Sequence, residues 1–560
     1  MRSAIRATCA LVCALASLAP ALAQDQANPS GAAPVVAVAP AAEPAPAVPA
    51  ASAPATAVPA PVPVVAAPAT NPVPAAVAER AGKLQSSKSI DKADLAAITT
   101  YYSAAEVQPV WTGAQGFTEK AASAMREIAA ADDWGLKASD YELPAALSAG
   151  ADTAAMAEAE IKIALAVLGY ARHARGGRMD PTDLSYNIDR QAPLLDPLKV
   201  LADAASSGEV DGYLRKLHPQ HPQFELLRQK YLEAKRAPVA APAAAPVESS
   251  PQAKGKTVKQ AKPARSETKL ATRILYNMEM WRWMPEDLGA VYVNSNIPEF
   301  MMRVVKSGKV IHEERIITGK VENQTPIFSD MMEHIVFHPF WGVPDSIKVK
   351  EIWPGLAGGG SVLERNGLRI QKGGRDIDPS SINWSSTDIR QFHVYQPPGG
   401  SNVLGVVKFM FPNKHQVYMH DTPTKNLFNS TQRTFSHGCM RVRNPVRMAE
   451  VLLENDKGWD AARVGTLVKG GPQNNHVYMD KKIPVHVTYF TAVVGSDGKL
   501  QTFPDVYGHE PKIQMGLDGK AHLIVKKKPS LSPPDVVTRL AETKQNTPLA
   551  AWMKNIFGGF

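Results

Sequence analysis

HDTPTKNLFNSTQRTFSHGCMR, residues 420–441, holds a histidine and, nineteen positions on, a cysteine framed as Ser-His-Gly-Cys. The segments around it set the fold class. Upstream, GVVKFMF (405–411) and QVYMH (416–420) read as strands, so His420 ends a strand. Downstream, NPVRMAEVLLEND (444–456) reads as one helix, with Asn444 as cap and Pro445 at its first position. Further out, AVYVNSNIPEFMMRVVKSGKVIHEERIITG (290–319) is β-rich, with a turn at Ser307-Gly308. VHVTYFTAVVGSDGKLQTF (485–503) is a hairpin around Asp497-Gly498. Residues 269–518 therefore read as a mostly β domain with a few helices. Within it, 342–400 is long, Gly- and Ser-rich and irregular, the pattern of a lid or binding loop.

The preceding residues, 78–236, read as a helical domain, which makes the whole chain α+β. DTAAMAEAEIKIALAVLGYARHARGG (152–177) can be capped by Asp152 or Thr153, carries Ile161, Leu165 and Leu168 on one stripe, and can end at Gly176-Gly177. GFTEKAASAMREIAAADDWG (116–135) is a second helix, and LHPQHPQFELLRQKYLEAKR (217–236) gives a third after Pro222. His218 and His221 sit in its Pro-rich turn without partners for a metal site. A short helix is expected in TRILYNMEMWRWMPED (272–287), with Trp281 and Trp283 as packing anchors.

Two low-complexity stretches flank the helical domain. Residues 24–77 are an Ala/Pro/Val tract with almost no charge, expected to be an extended tether. Residues 237–268 form a basic Ala/Pro/Lys linker. The formal net charge is +9, and residues 237–269 hold six Lys and Arg against two Glu, so much of the excess sits in one linker-like stretch. That argues against a nucleic-acid-binding face and fits either weak attraction to an acidic envelope polymer or membrane surface, or a merely solvated linker. The tail, 519–560, is unexplained, and its VKKKPSLSPP is expected at the surface.

Residues 1–23 read as a signal peptide: Arg2 and Arg6, an apolar run from Ala7 to Leu18, then Ala21-Leu22-Ala23. The run is short for a membrane span, and no later segment is a credible transmembrane helix. The expected location is outside the cytoplasm. Of the three cysteines, cleavage removes Cys9 and Cys13 and leaves Cys439, so no internal disulfide can form.

A thiol attacks a carbonyl as thiolate and needs a base or a positive partner. His420 can be that base. Gly438 permits a tight turn, and main-chain N–H groups there can face an oxyanion. Arg441 suits a substrate carboxylate. Taken alone, these residues leave three readings open: thiol catalysis, a zinc site of His420, His437 and Cys439, and a structural cysteine.

His420, then Ser436-His437-Gly438-Cys439, then Arg441 resembles the signature of the L,D-transpeptidases with a YkuD-type catalytic domain. LGVVKFMFPNKHQVYMHDTPTKNLF, RTFSHGCMRVRNP, FWGVPDSI and IPVHVTYFTAVVGSDGKLQTFPDVYG resemble the larger periplasmic branch of that family in Gram-negative bacteria, and YARHARGGRMDPTDL resembles its scaffold domain. The resemblance covers roughly residues 85–235 and 270–510. The larger enzymes usually carry a small helical peptidoglycan-binding domain beside the scaffold; the basic stretch 237–268 stands where one would be sought.

The resemblance implies that Cys439 attacks a peptidoglycan tetrapeptide stem at its third residue and expels the terminal D-Ala. His420 would be general base and acid. Asp421 or a neighbouring carbonyl would orient it. N–H groups of Gly438 and Cys439 would hold the oxyanion, with Ser436 and His437 in support, and Tyr418 and Arg441 would contact substrate. The amine of another stem would resolve the thioester into a 3→3 cross-link. No metal or organic cofactor is implied, and carbapenems would acylate Cys439. Rival outcomes are hydrolysis by a carboxypeptidase, attachment of an envelope protein's amine to peptidoglycan, and a non-catalytic wall-binding protein.

Overall fold

Alternation of core-facing and outward side chains builds the catalytic sheet. The computed structural model describes residues 71–86, 90–236 and 264–526. The expected signal peptide, most of the tether, linker residues 237–263 and tail residues 527–560 lie outside the described residues.

Nine strands form one sheet in the order Thr434–Ser436, Lys309–Gly319, Met440–Val442, Met419–His420, Val407–Met410, Phe328–Phe337, Asn475–Thr488, Val291–Asn296 and Met301–Lys306. Lys309–Gly319 also pairs with Met301–Lys306, so this one long strand joins both flanks and curls the sheet toward closure. The turn between those two strands is Ser307-Gly308, and both residues have positive φ (47° and 76°), the twist a tight hairpin requires. One sheet face packs Ile335, Phe337, Phe409, Met419 and Met440 into the main core, together with Met448 and Leu452 of the helix Pro445–Lys457. The hairpin at Asp497-Gly498 forms, pairing Ala492–Val494 with Leu500–Thr502. Asn444 does not cap its helix. Its side-chain Nδ2 donates instead to the buried Glu314 Oε2 at 2.6 Å, and its oxygen accepts from no helix N–H.

The helical part holds Lys92–Tyr102, Glu119–Ala129, Thr153–Gly176, Pro197–Ser206 and Val210–Lys216 around its own core of Leu95, Ile98, Trp111, Ile128, Val167 and Leu214, followed by Pro222–Arg236. Asp152 caps the central helix through Ala155 N–H at 2.8 Å. A further helix, Val73–Leu84, begins inside the stretch expected to be tether, with Val73, Pro74 and Val77 buried. Pro74 is tolerated because the first-turn N–H groups have no intrahelical acceptor. The helix expected at 272–287 is longer, Ala264–Arg282, and also starts within the expected linker. Trp281 and Trp283 are buried, and Trp281 stacks on Phe490 and His221. His218 is a buried core histidine, stacked on Trp134 and 2.9 Å from the Tyr170 hydroxyl.

Residues 342–400 are not irregular. Short helices and a small sheet, in the order Trp341–Gly342, His393–Gln396, Arg369–Lys372 and Arg375–Asp376, enclose a separate core that includes Trp341, Trp353, Trp384, Ile370 and Val394. Leu184, Ile188, Phe224 and Leu227 of the helical region belong to the core of the catalytic sheet, so the two domains share packing. Among the described residues, no helix is long and apolar enough to cross a membrane.

Candidate active site

Strand register decides which side chains meet. Met419–His420 runs parallel to Met440–Val442, with Met419 opposite Met440 and His420 opposite Arg441. Paired residues share a sheet face, and the face alternates along each strand. Met419 and Met440 are fully buried in the core. Tyr418, His420, Cys439 and Arg441 therefore project together from the opposite face. Lys408, opposite His420 on the next strand, joins them. All but Lys408 line a cleft of 540 Å³ that Trp341, Pro344 and Ile347 at the start of the lid help to wall.

His420 is held in one tautomer. Its Nδ1 lies 2.5 Å from the main-chain carbonyl of Asp421. A carbonyl only accepts, so Nδ1 carries the proton and Nε2 is left as the basic nitrogen. The choice left open by sequence thus falls to the carbonyl. The Asp421 carboxylate serves elsewhere, accepting from Val406 N–H at 2.9 Å and Lys425 Nζ at 2.5 Å. Burial, then the nearby Arg441 charge, drives the His420 pKa down to about 3, so the ring is neutral at ordinary pH.

Cys439 is half-buried, and its thiol faces the Gln416 carbonyl at 3.9 Å. Burial pushes the thiol above its ordinary value; the Tyr418 N–H and the Lys408 charge pull it back. A raised thiol beside a lowered imidazole means both rest uncharged. Tyr418 stands beside the sulfur, and burial and the cysteine push its hydroxyl far up, so it stays a donor. Lys408 lies 4.4 Å above the Tyr418 ring, and burial lowers its pKa.

The Ser-His-Gly-Cys turn is fastened internally. Gly438 has φ +116°, a region that favours glycine. Ser436 Oγ accepts from Gly438 N–H at 3.1 Å and donates to the Cys439 carbonyl at 2.5 Å. The Gly438 N–H is therefore spent inside the turn, which corrects the expectation that it faces an oxyanion. Thr325 Oγ1 donates to the Gly438 carbonyl at 2.7 Å. His437 Nε2 lies 2.9 Å from Glu351 Oε1 of the lid. Arg441 is buried, donates to Thr424 Oγ1 at 3.1 Å, and keeps Nε without a partner among the described residues. Such a guanidinium suits an incoming carboxylate.

Sequence reading missed Lys408, Gln416, Thr325 and Glu351. Only Lys408 carried a signal, as the lysine between Val407 and Phe409 in an apolar strand. Among the described residues, no group of three or more His, Cys, Asp or Glu is placed to hold a metal ion.

Residues 290–469 match the YkuD family model, the L,D-transpeptidase catalytic domain, and residues 96–230 match the Scaffold domain model. The chain carries a YkuD L,D-transpeptidase catalytic domain and a Scaffold domain. A Haemophilus influenzae protein named "Putative L,D-transpeptidase" is 28% identical over 254 residues, covering 45% of this chain and 51% of that protein. The chain thus spans about half the length of that relative. An L,D-transpeptidase from Mycobacterium smegmatis aligns at 12% identity over 36% of this chain and 58% of the other, with a TM-score of 0.17. The Ldtfm–avibactam carbamoyl enzyme aligns at 13% identity over 47% of this chain and 80% of the other, with a TM-score of 0.15. The YkuD match covers His420 and the whole Ser436–Arg441 turn, and the Scaffold match covers the helical core from Ala97 onward.

Proposed function

We propose that this protein is a periplasmic peptidoglycan L,D-transpeptidase that forms 3→3 cross-links through a thioester on Cys439. The observation that carries the reading is the register that brings His420, Cys439, Tyr418 and Arg441 onto one face at the floor of a cleft. Arg441, which lines the cleft, binds a carboxylate of the donor tetrapeptide. The Cys439 sulfur attacks the carbonyl of the third stem residue as its proton passes to His420 Nε2. The Tyr418 hydroxyl and the Cys439 N–H donate to the oxyanion that forms. The carbon–nitrogen bond to D-Ala breaks, and the departing amine takes the proton from His420. The amine of a second stem then attacks the thioester and gives a proton to His420. Collapse forms the new amide and returns the thiol. A charged imidazole would be costly at this buried position, which favours a proton held there only during each transfer.

The test is incubation of the purified protein with a disaccharide-tetrapeptide and mass spectrometry of the products. A 3→3 dimer with free D-Ala, absent with Cys439→Ala, is the expected result. Free D-Ala with tripeptide monomer alone would replace transpeptidation by hydrolysis. Products carrying an added envelope protein's amine in place of the dimer would reassign the acceptor. Loss of product with a chelator would contradict a metal-free mechanism. On the same reading, a carbapenem acylates Cys439 and blocks the reaction.

A further inference from the structure

The scaffold domain sets one short segment, residues 187–190, against residues that line the cleft, Lys414 and His415. Ile188 forms a parallel bridge with Ile327 of the catalytic domain; Ile327 N–H donates to the Asn187 carbonyl at 2.8 Å and Asp189 N–H to the Ile327 carbonyl at 2.9 Å. Arg190 is buried and donates to the carbonyls of Phe328 (3.2 Å) and Val487 (2.9 Å) and to Ser329 Oγ (2.6 Å). The segment is thereby fixed at both ends of Asp189. Its carboxylate then spans two consecutive residues of the cleft wall, with Lys414 Nζ at 2.7 Å from Oδ1 and His415 Nε2 at 2.8 Å from Oδ2. The next residue, Gln416, has φ +55° and presents its carbonyl to Cys439 Sγ. Asn413 closes the same loop, accepting from His415 N–H and Val417 N–H.

Within the loop Asn413 also accepts the Gln416 N–H on its carbonyl at 3.2 Å and gives its amide to the carbonyls of Phe411 and Val417, while Gln416 itself sits in the left-handed region. What pins it from outside is Asp189, together with packing of the His415 ring on Phe328. We propose that Asp189 of the scaffold domain is a positioning residue for the nucleophile. It holds Lys414 and His415 so that the Gln416 carbonyl shields and orients the Cys439 thiol. The scaffold thus completes the active site as well as supporting it. This deepens the reading of Cys439 as the reactive thiol, yet its test does not depend on turnover.

The measurement is the rate of Cys439 alkylation by iodoacetamide in the full chain, read on the Cys439 peptide by mass spectrometry, with melting temperature alongside. Asp189→Ala releases the loop and uncovers the thiol, so alkylation quickens by about threefold or more while the protein stays folded. Asp189→Glu, which keeps the charge, returns the rate toward the parent's. Should Asp189→Ala fail to fold, the near-isosteric Asp189→Asn is read by the same criterion. An alkylation rate for the folded variant within about twofold of the parent's would overturn the proposal. If the parent makes no cross-link, the transpeptidase reading fails, while the alkylation comparison still decides the role of Asp189.

Discussion

At the residue scale, the site holds a neutral pair. His420 is lowered to about 3 and Cys439 is raised, in both cases chiefly by burial. A preformed thiolate–imidazolium pair would instead need a raised histidine and a lowered thiol. The alkylation rate of Cys439 should therefore keep climbing as pH rises past about 9, the ordinary thiol range, with no plateau near neutrality. A plateau beginning near about pH 6 would contradict the neutral pair. His420 and Cys439 were legible in the sequence because the turn Ser-His-Gly-Cys is local. The occupant of the Gly438 N–H was not, since Ser436 is too common a residue to announce that its hydroxyl folds back. Lys408 was only faintly legible: its importance lies in which strand it pairs with, and register between remote segments is a tertiary property.

At the element scale, the His420 strand depends on what lies behind it. Gly405 has φ +57°, and a Cβ there would stand 2.2 Å from Asp421 Oδ2. Gly405→Ala must therefore displace Asp421, whose carbonyl orients His420. The variant should lose more than about 1 kcal/mol of stability, and turnover should fall beyond the loss of folded protein. Gly374→Ala in the lid is the matched control: φ is +77° but nothing lies within 4 Å of the added Cβ, so only backbone strain is expected and turnover should hold. Equal turnover losses in both would refute the role given to Asp421. Long periodic elements, such as Thr153–Gly176, were legible because caps and stripes repeat along them. The lid was not: its helical run over residues 345–357 is broken in pattern by a π turn at Lys348–Ile352, its next helix, Val362–Arg365, is one turn long, and its core is assembled from tryptophans and aliphatics scattered between Trp341 and Leu404. The Asn444 cap was misread because a buried carboxylate on a distant strand claims its amide.

At the scale of the whole molecule, the scaffold and catalytic domains are joined at several places. The helix Glu510–Leu517 crosses between them; its Leu517 carbonyl accepts from Arg178 at 3.2 Å. At the start of that helix, His509 is buried against Tyr489, with neither ring nitrogen partnered among the described residues. Burial lowers it from 6.5 to about 4. As pH falls below 6.5 the unfolded chain takes up this proton and the folded one does not, so stability present above pH 6.5 is lost on the way toward pH 4. His509→Phe removes that term. Its stability relative to the parent should rise by about 2 kcal/mol between pH 8 and pH 5 in urea unfolding. A pH-independent difference would show that His509 takes up its proton as readily in the folded chain as in the unfolded one. The division into a helical part and a β part was legible from periodicity, whereas their union was not. Ile188, Asp189 and Arg190 look like an unremarkable loop until the structure sets them against Ile327, Lys414 and Val487.

The central claim is that Cys439 carries the acyl group. Intact-mass spectrometry of the protein, quenched in acid during reaction with a tetrapeptide donor and no acceptor, tests it most directly. The predicted result is an adduct equal to the donor less D-Ala, mapped to the peptide containing Cys439, cleaved by hydroxylamine and absent in Cys439→Ala. Donor consumption by the Cys439→Ala protein, or an adduct on another residue, would contradict it.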